Sequence, residues 1–119
     1  MVSTMFNFLF SLKGRLNRMP FNLFIIPFLI VGYTPYYAPE FVFYLDSVFK
    51  KIPVFGLVVC LGIMWSSLAV TVKRLHDFDK SGWFFILLLI PYLGHALVLI
   101  PLLIKGTDGL NEYGVDPLD

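Results

Sequence analysis

The stretch Lys73-Arg74-Leu75-His76-Asp77-Phe78-Asp79-Lys80-Ser81-Gly82-Trp83 holds the densest set of side chains in this sequence that could do chemistry. Seven of its eleven residues ionise or carry a short polar group. A histidine between an arginine and two aspartates can act as a general base or a metal ligand. His76, Asp77 and Asp79 place three candidate ligands within four residues. No second ligand cluster stands elsewhere to complete a site. The sequence has no His-Glu-x-x-His, no cysteine pair, no serine in a nucleophile elbow and no phosphate-cradling loop. No catalytic residue, metal or cofactor is therefore assigned, and an enzyme using His76 and Asp77 is an alternative only. A structural reading is more economical. Lys73 and Arg74 suit the negative end of a helix dipole. Asp77 or Asp79 can pair with Arg74, and Asp79 or Ser81 can cap the next helix. Gly82 allows tight entry, and Trp83 anchors at a membrane interface.

The elements that must position this stretch are two long runs free of Asp, Glu, Lys and Arg. The chain has 119 residues, 58% hydrophobic, 18% aromatic and 14% charged. A soluble domain carries roughly a quarter charged residues. With a mean hydropathy of +0.80, the deficit points to one integral membrane domain over residues 1–119. A net charge of +1 gives no reason to expect a nucleic-acid partner. Cys60 has no internal partner and reads as a small buried hydrophobe.

Residues 1–12 are apolar but too short to cross, since about 20 residues are needed. No cation precedes them and no small-residue cleavage site follows, so a secretory signal is not expected. Phe6, Leu9, Phe10 and Lys13 share helical spacing, which predicts an amphipathic surface helix. Lys13, Arg15 and Arg18 then hold the following run on the cytoplasmic side. They could also meet anionic lipid head groups. The first span is predicted at about 20–38, kinked at Pro27, with Pro35, Tyr36 and Tyr37 at the far interface. Residues 39–53 predict a short interfacial helix with Phe41, Leu45, Val48, Phe49 and Ile52 on one face. The second span is predicted at about 54–72. Its small residues Gly56 and Cys60, and Gly62 and Ser66, are four apart and permit close helix packing.

The third run, about 83–104, is long enough to cross. Pro91, Gly94 and Pro101 interrupt it. A single kinked span is preferred over a re-entrant loop, because arms of about 8–9 residues reach only roughly 13 Å. His95 lies near its middle, where an ionisable group marks a functional hypothesis. The alternative is a neutral histidine bonded to Ser66, Ser67 or Thr71. The tail, 105–119, reads as turns outside the bilayer. Asp108, Asn111, Glu112 and Asp116 do not have the spacing of a calcium loop. With three spans, six cations on the first side face three (Lys50, Lys51, Lys105) on the other. That predicts a cytoplasmic N-terminus and an external C-terminus. Arg15 and Arg18 are expected to pair with Asp77 and Asp79.

Three motifs occur together: Gly14-Arg15-x-x-Arg18; Arg74-Leu75-His76-Asp77 leading to Lys80-Ser81-Gly82-Trp83 and Ile90-Pro91-x-x-Gly94; and Lys105-Gly106-x-x-Gly109-x-Asn111-x-Tyr113-Gly114-x-Asp116-Pro117. In these the chain, from about Phe6 to Pro117, resembles the DUF805 family of small bacterial inner-membrane proteins. Pro20 and Asn22 stand where that family usually has an acidic residue and an aromatic. The resemblance implies a compartment and an architecture: an all-α membrane protein with three transmembrane helices and short interfacial helices. It implies no reaction. The expected role is non-catalytic packing or interaction in the envelope. The expected partners are the lipid bilayer and either a second copy or another membrane protein. A small oligomeric channel or transporter built around His95 and the small-residue faces is the alternative.

Overall fold

A computed structural model describes residues 2–118. Helix α1 (Val2–Phe10) is followed by a loop and by α2 (Arg18–Tyr37). The Asn17 side chain starts α2 by accepting a hydrogen bond from the Arg18 N–H at 2.6 Å. Pro27 and Pro35 both lie inside α2, each removing one ladder donor. Helix α3 (Pro39–Lys51) is the short connector helix expected. Glu40 lies in its first turn and Lys50 and Lys51 in its last, as the helix dipole favours.

Helix α4 runs from Pro53 to Asp77, 25 residues, or about 37 Å of helix. That exceeds the roughly 30 Å thickness of a hydrocarbon core. Its last turn can therefore stand outside an apolar layer. Lys73, Arg74, His76 and Asp77 stand at that end and are helical, and the helix is interrupted only over Phe78–Ser81.

The third apolar run departs from the single kinked helix expected. A 3-10 turn (Gly82–Phe84) leads into α5 (Phe85–Leu88), and the chain then reverses before α6 (Leu93–Leu97) and α7 (Leu99–Leu103). Pro91 has no N–H to continue a helix, and Tyr92 takes a left-handed conformation, φ 64°. Gly94 lets the two arms meet, since a Cβ there would fall 2.0 Å from the Leu88 carbonyl oxygen. Its N–H donates to the Ile90 carbonyl at 2.7 Å. The run is thus a hairpin, with both ends on one side.

The small core of Leu16, Phe21, Ile25 and Val70, flanked by Phe8, Phe24, Leu29 and Leu102, sits toward that same end. Of the described helices, α2 and α4 are long and apolar enough to cross a membrane, and only 11% and 28% of their apolar windows are buried by the chain itself.

Candidate functional site

The last turn of α4 builds a polar centre together with the α1–α2 loop and the tail. Asp77 is its hub. One carboxylate oxygen accepts from Arg15 Nε at 3.0 Å, and the other accepts from Arg74 Nη1. All three side chains are buried, with 1%, 5% and 0% exposure for Arg15, Asp77 and Arg74. Two cations on one carboxylate need further acceptors, and backbone carbonyls supply them. Arg15 donates to the carbonyls of Thr107, Gly109 and Gly114 and to the Thr107 hydroxyl. Arg74 donates to the carbonyls of Leu16, Pro101 and Ile104, and its guanidinium lies 4.7 Å from the Phe78 ring. Arginine's fixed fork suits this, because its donors can address several acceptors at once.

Gly106 is required by the close approach of the tail. A Cβ there would lie 2.0 Å from Asp77 Oδ2 and 2.6 Å from the Asp77 carbonyl oxygen. The next residue seals the contact: Thr107 N–H and Oγ1 donate to the Asp77 carbonyl at 2.7 and 2.9 Å. The His76 ring stacks on Tyr113, with centroids 3.9 Å apart and planes 4° from parallel. Its Nδ1 is 3.1 Å from the Gly14 carbonyl oxygen. Asn111 donates to the His76 carbonyl and to Thr107 Oγ1, both at 2.9 Å, and accepts from Tyr113 N–H. Asp79 accepts from Glu112 N–H at 3.1 Å. The N–H groups of Leu118 and Gly109 donate to Asp116 and hold its carboxyl below the ordinary aspartate range. Lys73 caps α1 by donating to the carbonyls of Asn7 and Phe8, and the Trp65 indole donates to the Phe10 carbonyl.

The structure therefore brings together Gly14, Arg15, Arg74, His76, Asp77, Gly109, Asn111, Tyr113 and Gly114. Other singled-out residues stay outside. Arg18 reaches the Leu103 carbonyl at 3.2 Å rather than an aspartate, and Asp79 holds a backbone amide rather than an arginine. Ser81 caps the 3-10 turn through Trp83 N–H at 3.4 Å. Gly82 abuts Val72, and Trp83 is exposed. Lys80 and Pro117 are likewise exposed. His95 is on α6 beside Tyr33, ring centroids 5.9 Å apart. Ser67, one of its expected partners, donates to Ile63 instead.

Two expectations are corrected. The tail does not stand apart from the polar stretch; it packs on it, because the hairpin returns the chain to its starting end. Nor is the tail a set of free solvated turns. Its carbonyls complete the arginine sites. The sequence does not single out Thr107, and it offers Gly106 and Asp116 only as members of the tail motif, since nothing in a Gly-Thr-Asp-Gly run says which distant side chain it will meet. Among the described residues no group of three His, Cys, Asp or Glu is placed to hold a metal.

A family model described as "Protein of unknown function (DUF805)" matches residues 9–115. The Escherichia coli inner membrane protein YhaI is 34% identical over 67 residues, 56% of this chain and 57% of that protein. Inner membrane protein YhaH of the same organism is 39% identical over 64 residues, 54% of this chain and 50% of that one. The chain thus spans little more than half the length of these two relatives. The uncharacterized protein YiiR is 28% identical over 142 aligned positions, 98% of this chain and 92% of that protein. No solved structure matches.

Proposed function

The chain belongs to the DUF805 family, and on that premise we propose that it is a non-catalytic interaction component of the bacterial inner membrane. The compartment is supported by two relatives that are themselves inner membrane proteins. In this reading α2 and α4 cross the bilayer, the hairpin enters from the cytoplasmic side, and both ends of the chain are cytoplasmic. Charge supports the sides. Lys13, Arg15, Arg18, Lys73, Arg74, Lys80 and Lys105 gather at the polar end, leaving Lys50 and Lys51 at the other, the asymmetry that orients membrane proteins.

One observation carries the non-catalytic reading: Asp77, the carboxylate at the hub of the polar centre, is spent on structure. Both its oxygens are held by arginines, while His76 is stacked on Tyr113 with Nδ1 donating to the Gly14 carbonyl and keeps only its Nε2 lone pair. A catalytic carboxylate needs a free lone pair within reach of a substrate proton, and Asp77 offers none. The chain also leaves most of α4's outer half uncovered, as at Leu57, Leu61 and Met64. Lipid or another membrane helix must cover that surface.

The test is a photo-crosslinking amino acid at Leu61 or Met64 in native membranes. The reading expects a discrete protein adduct, either a second copy or another membrane protein. Adducts with lipid alone, from both positions, would contradict it.

A further inference from the structure

His76 leaves one atom unused. Its Nδ1 lies 3.1 Å from the Gly14 carbonyl oxygen. A carbonyl only accepts, so Nδ1 carries the ring proton. Tyr113 fixes the plane of the ring by stacking on it at 3.9 Å. At neutral pH an ordinary imidazole holds no second proton, so Nε2 accepts and cannot donate. The residue is 9% exposed. Nε2 has no partner among the described residues, yet it is not sealed in as Asn22 Oδ1 is.

The ring lines a groove of about 400 Å³ between α4 and the start of the hairpin, a volume within the range of small-molecule sites. Leu68 and Val72 line it from α4, Trp83, Phe85 and Ile86 from the hairpin, and Leu12 from the α1–α2 loop. None of these side chains is charged, and His76 supplies the only side-chain acceptor among them. Along α4 the groove runs from His76 through Val72 to Leu68, eight residues or about 12 Å. It therefore begins at the polar end and continues toward the uncovered apolar half.

This chemistry selects its occupant. A fixed acceptor needs a donor, so a carboxylate or phosphate head would meet a lone pair with a negative charge. An amine head would add a cation beside Arg15, Lys73 and Arg74. A neutral hydroxyl avoids both conflicts, and hydrocarbon suits the remaining walls. We propose that this groove binds a single-chain neutral lipid that ends in a hydroxyl group. The hydroxyl donates to His76 Nε2, and the chain lies along Val72, Leu68 and Ile86. The site uses the one lone pair that the Arg15–Asp77–Arg74 centre leaves free, and it does not depend on the function proposed above.

The test uses the full chain in lauryldimethylamine oxide, a detergent with no hydroxyl, and a dodecanol carrying a mid-chain diazirine. After illumination, adducts are mapped by peptide mass spectrometry. They should fall on the α4 and α5 segments that carry Leu68 and Ile86. Dodecan-1-ol should displace the label at about one-tenth the concentration needed of 1-methoxydodecane, which has no donor, as one hydrogen bond permits. Dodecanoate and dodecylamine should compete no better than the ether. His76→Phe keeps a flat ring against Tyr113 but removes the lone pair, and should make alcohol and ether equal. Leu68→Trp, at a half-buried position, should remove the adducts. Equal displacement by alcohol and ether on the unaltered chain would overturn the proposal, and needs no variant to fold. So would adducts confined to other segments, stronger displacement by dodecanoate or dodecylamine, or a stable dimer that buries Leu68 and Ile86 against a second copy.

Discussion

The two ends of this molecule solve the same problem with different solvents. At the polar end, α1, the α4 terminus, the hairpin and the tail converge, and buried cations find protein oxygens for their donors. At the other end α2 and α4 run side by side with few contacts, and Leu57, Leu61 and Met64 are bare. The polar end is built as a soluble protein core is built, by pairing polar groups internally. The other end has almost no core of its own and fits an apolar solvent, in which helices satisfy their own backbone. One end is specified by particular residues, the other by composition.

That contrast can be broken most sharply at its hub. Asp77→Ala leaves two buried arginines without their carboxylate, and removing one partner of a buried ion pair costs about 3–5 kcal/mol. Leu61→Ala, on the bare half, should stay within about 0.5 kcal/mol. Thermal unfolding of both variants in detergent measures the gap, and similar losses would erase the distinction between the ends. Gly106→Ala comes next. Its methyl would collide with Asp77, and overpacking costs about 1–3 kcal/mol. Limited proteolysis should then cut the tail after Ile104 while α2 and α4 stay intact. Asn111→Ala removes donors to His76 and Thr107 and should cost about 1 kcal/mol. Faster hydrogen exchange confined to residues 105–118 would show it.

The smallest effect is that of acid on Asp116. Its folded carboxyl sits below the ordinary value of 3.8. The tail contact it makes is therefore complete at neutral pH and weakens only as pH falls below that value through the lower folded one. Protection of the Gly109 and Leu118 amides, taken relative to their intrinsic exchange rates at each pH, should be the same at pH 7 and pH 5 and fall only in stronger acid. A loss of that protection already complete at pH 5 would mean that another group holds the turn.

Much of the coarse design could be read from residue types. The uncharged runs marked α2 and α4, the spacing of Phe41, Leu45 and Phe49 marked α3, and the pairing of Arg15 with Asp77 followed from placing both at one face. The hairpin was misjudged because length alone favoured a span. The local chemistry of Pro91 and Gly94, which lets two backbones touch at Leu88, outweighed it. The packing of the tail on the polar stretch was missed with it, since the tail was placed by the number of crossings. The roles of Gly106 and Thr107 depend on contacts with Asp77 across about thirty positions of chain, and no local pattern encodes such a meeting.

The docking of the tail on the polar end is tested most directly by asking which side of the membrane it faces. With Cys60→Ser as background, Ser11→Cys, Lys50→Cys and Leu118→Cys are labelled one at a time with a membrane-impermeant maleimide, in spheroplasts and in inverted vesicles. Positions 11 and 118 should react only in inverted vesicles and position 50 only in spheroplasts. Labelling of position 118 from outside, with position 11 still inside, would place the tail across the bilayer from Asp77 and contradict the account.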